Sequence, residues 1–210
     1  MLPTDHIRPR QLFSVAILFA LVALFACSGK NAKTERKTFK TIIIQPFVGM
    51  SKADAVYVTN EIAKIYPHVS LKEPIVFPAS AYNPARKRYR ADSLIHFLNE
   101  NTSDGFVTIG LTSNDISTTK DEIADWGVMG LGYQPGRSCI ASTFRLSKSD
   151  KLSQLFKVSI HELGHSEGLP HCSVKTCFMR DADGKNPTNE EKEFCPECKS
   201  YLIKKGWKFE

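Results

Sequence analysis

Three of the six histidines in this chain fall within eleven residues, in the segment His161-Glu162-Leu163-Gly164-His165-Ser166-Glu167-Gly168-Leu169-Pro170-His171. On a helix, positions i and i+4 share a face. His161 and His165 can therefore grip one ion at the roughly 2.0–2.1 Å that zinc–imidazole bonds need. Glu162 lies one residue further round, beside the metal rather than on it. That is where a general base for a zinc-bound water belongs. Gly168 tolerates a left-handed backbone and ends the helix, and the turn after it lets His171 supply a third ligand. Three protein ligands leave a fourth position for water, which marks a catalytic rather than a structural zinc site. The bland alternative, a helix with chance surface histidines, does not explain the spacing.

A second donor set follows at once: Cys172, Cys177, then Cys195-Pro196-Glu197-Cys198. This spacing suits a closed tetrahedral zinc site. In an oxidising compartment the same four residues could close two disulfides, and both readings stand at this point. A redox C-x-x-C is disfavoured because nothing thioredoxin-like surrounds it. Cys139, the odd cysteine of the domain, reads as a buried thiol in a strand.

At these residues the sequence resembles the archaemetzincins, a metzincin family. Their signature is the long histidine motif, a cysteine directly after it, a Cys-x-Met and a later C-x-x-C. All are present, with 15 residues between Met179 and Cys195, slightly fewer than the family pattern. Asn83 to Tyr89, Gly136-Arg137 and Arg145-Leu146 add to the likeness, which spans about residues 41–205. The resemblance implies an α/β (α+β) metzincin-like zincin domain: a twisted mixed sheet with an antiparallel edge strand, an active-site helix and a C-terminal helix. It implies a zinc-dependent metallopeptidase with Glu162 as general base. Two zinc ions are implied, a catalytic one on His161, His165 and His171 and a structural one on Cys172, Cys177, Cys195 and Cys198. Met179 becomes the Met-turn residue below the catalytic metal. A peptide substrate would lie along the edge strand by strand addition.

The elements that must position these residues alternate. Thr41–Phe47 is a β-branched buried strand, and Ser51–Tyr66 has apolar residues at helical spacing behind an N-capping serine. Leu71–Phe77 is apolar, Arg90–Asn101 is helical, and Gly105–Thr112 is a strand. Two more strands, Asp125–Tyr133 and Ser138–Leu146, flank the turn residues Gln134-Pro135-Gly136. Asp125–Tyr133 is the expected cleft rim, with Gly127, Gly130 and Gly132 permitting close backbone approach. The motif helix runs from Leu152 to Glu167, and a last helix from Asn189 to Lys204. Such alternation indicates an α/β-type domain.

The N-terminus reads as an address. Arg8 and Arg10 precede an apolar run from Leu12 to Ala26, too short to span a bilayer but right for a signal peptide. It ends Leu24-Phe25-Ala26-Cys27, like a lipobox. The expected organisation is a lipoprotein signal peptide over 1–26, lipidated Cys27 and a polar tether over 27–40, and the catalytic domain over 41–210. The chain would then be an exported lipoprotein of the cell envelope, held at a membrane by its N-terminal lipid, and a monomer. Its 210 residues, 42% hydrophobic and 24% charged, exclude a disordered or multi-span protein. The net charge of +6 does not itself argue for an anionic partner. Arg86, Lys87, Arg88 and Arg90 around Tyr89 read as a solvated face rather than a nucleic-acid site, and His68 and His96 have no role. Two rival functions remain: a zinc-stabilised binding or assembly lipoprotein without turnover, and hydrolysis of a non-peptide amide. Glu162 argues against the first, since a binder needs no base there.

Overall fold

The computed structural model describes residues 39–209, which fall within one unit running from Lys37 to Glu210. The segment expected to be a signal peptide, Cys27 and most of the expected tether lie outside the described residues. Among those described, no helix is long and apolar enough to cross a membrane.

Nine strands and four helices follow in the order β1 Thr41–Pro46, α1 Lys52–Ile65, β2 Val69–Leu71, β3 Tyr82–Asn83, β4 Arg88–Arg90, α2 Ala91–Glu100, β5 Phe106–Thr112, β6 Ile116–Lys120, β7 Ile123–Val128, β8 Gly130–Gly132, β9 Ser138–Ser142, α3 Lys151–Glu167 and α4 Pro196–Ile203. The main sheet has the order β2-β1-β5-β9-β8. Its first four strands are parallel, and β8 runs antiparallel to β9 at the edge. A smaller sheet has the order β3-β4-β6-β7. The expected mixed sheet with an antiparallel edge strand is therefore present.

Local causes are clear in the helices. Ser51 caps α1 by accepting the Asp54 N–H at 3.3 Å, and Ala55, Val58 and Ile62 face the core at helical spacing. Gly168 ends α3 with φ of 105°, its N–H bonded to the His165 carbonyl and the Leu169 N–H to the Gly164 carbonyl. That is a Schellman closure, which only glycine enters without strain. One core packs α1, α3 and the C-terminal residues Phe194, Leu202 and Trp207 on one face of the main sheet. On the other face, α2 places Leu94, Ile95 and Leu98 against Phe47, Ile140 and Ile116 of the small sheet.

The structure corrects several expectations. Asp125–Tyr133 is not one strand. Its first part is β7 in the small sheet, and only Gly130–Gly132 forms the main sheet's edge, with Met129 between them. The strand expected over Ser138–Leu146 stops at Ser142, whose hydroxyl donates to the Asn114 carbonyl and accepts the Phe144 N–H, turning the chain. The apolar 71–77 stretch holds only the end of β2 and a single bridge from Ile75 to Phe47. The last helix begins at Pro196, not Asn189. Cys195 is its extended N-cap, and proline at the first helical position fixes the start. The basic cluster is not a free solvated face. Arg86 is exposed, but Arg88 and Arg90 are largely buried around Asp125, at 3.5 and 3.7 Å, and Arg88 also reaches Asp115. Asp125 accepts the Ser117 hydroxyl at 2.5 Å, and this bond, with the arginines, holds its carboxyl below the usual range.

Close packing of α2 on the main sheet rests on Gly110 of β5. A Cβ there would stand 2.8 Å from Leu98 Cδ1 and 3.0 Å from Phe47 Cε2. Gly110→Val is expected to cost about 1–3 kcal/mol, read as a lower urea midpoint with an unchanged slope.

Candidate active site

Helix α3 sets His161 and His165 one turn apart on the face turned to β8, and the glycine-capped turn returns His171 to the same point. The ligand atoms of the three lie within 4.8 Å of one another. His161 Nδ1 donates to the Phe178 carbonyl at 2.7 Å and His165 Nδ1 to the Leu169 carbonyl at 2.8 Å. A carbonyl has no proton to give, so both rings carry hydrogen on Nδ1 and a bare lone pair on Nε2. Those two Nε2 atoms are 3.0 Å apart. With no proton between them they repel, unless a cation shares both. Two ligands on one tetrahedral zinc would stand about 3.3 Å apart, so the donor set fits the ion. Asp181 Oδ2 lies 3.2 Å from His171 Nδ1, in place to orient the third ring. Burial, and then the His165 ring, push His161 down to about 3, and burial also lowers His165. Both are thus neutral at physiological pH, as metal ligands must be.

Glu162 is buried at 7% exposure, against the edge strand. A Cβ on Gly130 would sit 2.5 Å from Glu162 Oε1, and one on Gly132 3.0 Å from the Glu162 carbonyl. The rim glycines Gly130 and Gly132 therefore make room for Glu162. Gly127 does different work: its vacant side is filled by the Arg145 guanidinium. Burial pushes the Glu162 carboxyl up to about 8, and a divalent cation on the histidines would draw it back down. Between β8 and the 180–188 loop lies a cavity of about 640 Å³, floored by α3 from Lys157 to His165.

The four cysteines also converge, their Sγ atoms all within 4.8 Å. Cys172 and Cys195 Sγ are 3.7 Å apart, Cys177 and Cys198 3.8 Å. A disulfide needs about 2.05 Å, and two thiolates on a tetrahedral zinc about 3.8 Å. No disulfide joins them. The Met179 and Cys195 N–H groups both point at Cys177 Sγ, at 3.4 and 3.3 Å. Met179 is fully buried, and a Cβ on Gly164 would overlap its sulfur. It fills the notch in α3 between the two histidine turns. Cys139 is fully buried on β9, as expected, with its thiol pushed up by burial.

Every residue singled out in the two motifs is thus brought to one of two clusters. Sequence reasoning missed Lys157, which stands at i−4 from His161 on the cleft face and could have been found by helical spacing. It also missed Asp181 and Glu191, which sit in loops without periodicity. Gly164→Ala would displace Met179 and, through Phe178, the acceptor that orients His161. Zinc affinity, read by chelator competition, is expected to fall about 10–100-fold.

Comparison with known proteins agrees with this geometry. The family model for peptidase family M54 matches residues 55–205. The archaemetzincin of Halobacterium salinarum is 34% identical over 139 residues, covering 58% of this chain and 75% of that protein. That of Archaeoglobus fulgidus is 30% identical over 150 residues, covering 67% and 88%. Among solved structures, the Archaeoglobus fulgidus archaemetzincin complexed with malonate superposes with a TM-score of 0.66 at 26% identity, over 77% of this chain and 99% of that one. The Methanopyrus kandleri archaemetzincin, at 24% identity, shares the fold with a TM-score of 0.69 over 81% and 97%. A match over most of the described domain, to a family whose motif residues meet here in space, leaves one assignment: the chain belongs to peptidase family M54, the archaemetzincins, and is a zinc metallopeptidase.

Proposed function

We propose that peptide hydrolysis takes place where His161, His165 and His171 converge, with Glu162 as the general base. The observation that carries this is the burial of Glu162 against Gly130, beside two imidazoles whose Nε2 atoms are bare. Bound there, zinc supplies Lewis acidity toward a carbonyl and a water of lowered pKa. Glu162 accepts the proton of the attacking water and passes it to the departing amine, the same carboxyl serving both steps. β8 is the open edge of the main sheet, so an extended peptide can join it as a further strand, its main chain held by β8 and its scissile carbonyl turned to the histidines. Phe178 and Leu169 carbonyls keep the rings oriented, and the snug contact of Glu162 with Gly130 keeps its carboxyl in place.

The second ion of the pair is assigned to Cys172, Cys177, Cys195 and Cys198, as a structural zinc. The Sγ separations of 3.7 and 3.8 Å support it. Elemental analysis of chain purified without chelator should give two zinc per chain; one or none would overturn the two-site reading. Glu162→Gln should keep both ions and lower kcat/KM by about 10²–10⁴-fold. A panel of unstructured fluorogenic peptides, run with and without chelator, reads this out, and unchanged turnover would remove Glu162 from the mechanism.

The chain is further assigned as an exported monomer anchored by lipid on Cys27, on the strength of the apolar run ending at that cysteine. In a bacterial host, Cys27→Ser should move the protein out of the membrane fraction and abolish labelling by a radioactive fatty acid.

A further inference from the structure

One buried carboxylate of the cleft lacks a partner of its own. Glu191 lies between the Met179 turn and Cys195, lines the cavity, and is 5% exposed. Among the described residues no hydrogen bond or ion pair reaches its carboxylate. The neighbouring charges are otherwise engaged. Arg180 pairs with Glu190 at 2.7 Å. Lys157 gives two of its three ammonium hydrogens to main-chain carbonyls, Thr188 at 2.7 Å and Glu191 at 2.8 Å. Burial pushes the Glu191 carboxyl up to about 7 against the pull of Lys157 and Arg180, so neither cation suffices to hold it firmly ionised. A carboxylate buried in a cleft without a donor is a group that a ligand completes.

Its place defines the ligand. Lys157 precedes His161 by one helical turn on the same face of α3, about 6 Å along the axis. The Glu191 carbonyl accepts from that lysine, and Glu191 lines the same cavity as the three histidines. Val158 and Pro187 line the same cavity. Apolar lining together with an acidic group suits a side chain with an aliphatic stem and a cationic tip.

We infer that Glu191 forms the base of a side-chain subsite, and that this subsite selects lysine or arginine at a position flanking the scissile bond. The inference deepens the peptidase reading above and rests on the histidine cluster as its reaction centre. An incoming ammonium or guanidinium donates to the carboxylate that no other described residue satisfies, while its stem covers Val158 and Pro187.

The test uses the purified, zinc-loaded full chain and two sets of peptides, each varied on one side of the scissile bond among Lys, Arg, Gln, Leu and Glu. At one of the two positions, kcat/KM for Lys or Arg should exceed that for Leu, Gln and Glu by about tenfold or more. In Glu191→Gln, which keeps shape and removes charge, the ratio should fall to about threefold or less. A preference for Glu, which would point to the third hydrogen of Lys157, overturns the inference. So does equal cleavage of all five, or a basic preference that survives in Glu191→Gln. If no peptide is cut, the catalytic reading fails, and calorimetry then decides the subsite. Tighter binding of the lysine peptides than of the leucine ones supports it, and equal affinity overturns it. The wild-type preference needs no variant, so misfolding of Glu191→Gln would leave the test standing.

Discussion

Two neighbouring residues, His171 and Cys172, face two different donor clusters, and much of the domain exists to hold that arrangement. In an extended chain successive side chains point to opposite sides, so the segment after Pro170 can serve both clusters at once. It is pinned by a parallel bridge between Cys172 and Arg180, in which the Cys172 N–H donates to the Met179 carbonyl at 2.8 Å. Met179 in turn fills the notch at Gly164, and the Phe178 carbonyl before it orients His161. The Phe178 N–H is bonded to the Glu193 carbonyl, close to Cys195. The histidine cluster therefore rests, through one short run of backbone, on the cysteine cluster. Any ion that tightens the second also fixes the third ring of the first.

The other wall of the cleft is built by a change of sheet. The chain leaves the small sheet at Val128 and enters the main sheet at Gly130. The rim is thus three residues long, enough to present an edge but too short to be a lasting template for aggregation. Glycine on this rim serves the protein first: without side chains at Gly130 and Gly132, Glu162 can be buried against the strand and still face the cavity. Arg88 and Arg90, gathered around Asp125, brace the small sheet from behind, and Arg145 bridges from Asp115 to the space over Gly127.

The two clusters were legible in the sequence because each depends on local spacing. Histidines at i and i+4 need only a helix, and Gly168 announces where it ends. The cysteines are spaced as a knuckle and a later pair. The long helices were legible from apolar periodicity for the same reason. What stayed hidden is what depends on distant partners. The small sheet is made of strands of two to six residues, several of them polar, and such segments carry no period to read. The pairing of Arg86 with Asp125 spans 39 residues, so a basic run looked like a solvated face. The last helix reads too long from sequence because the charged run Glu190 to Glu193 is made of good helix formers, which outweigh Pro196 as a start signal. Glu191, in an irregular loop, is interpretable only once Lys157 and the cavity are seen beside it.

The order in which the chain is made gives the Glu193–Phe178 bond another meaning. The motif helix, the edge strand and Glu162 are all complete by residue 167, yet the contacts that orient His161 and His171 come from residues 171–193, and those that close the cysteine cluster from residues 195–198. A chain emerging N-terminus first from the ribosome thus carries the base and two of the three histidines while its third is still unplaced. The reaction centre closes only when residues 171–193 have folded onto the motif helix. Until that stretch is in place, the histidine set lacks its third donor and the carbonyl that orients His161.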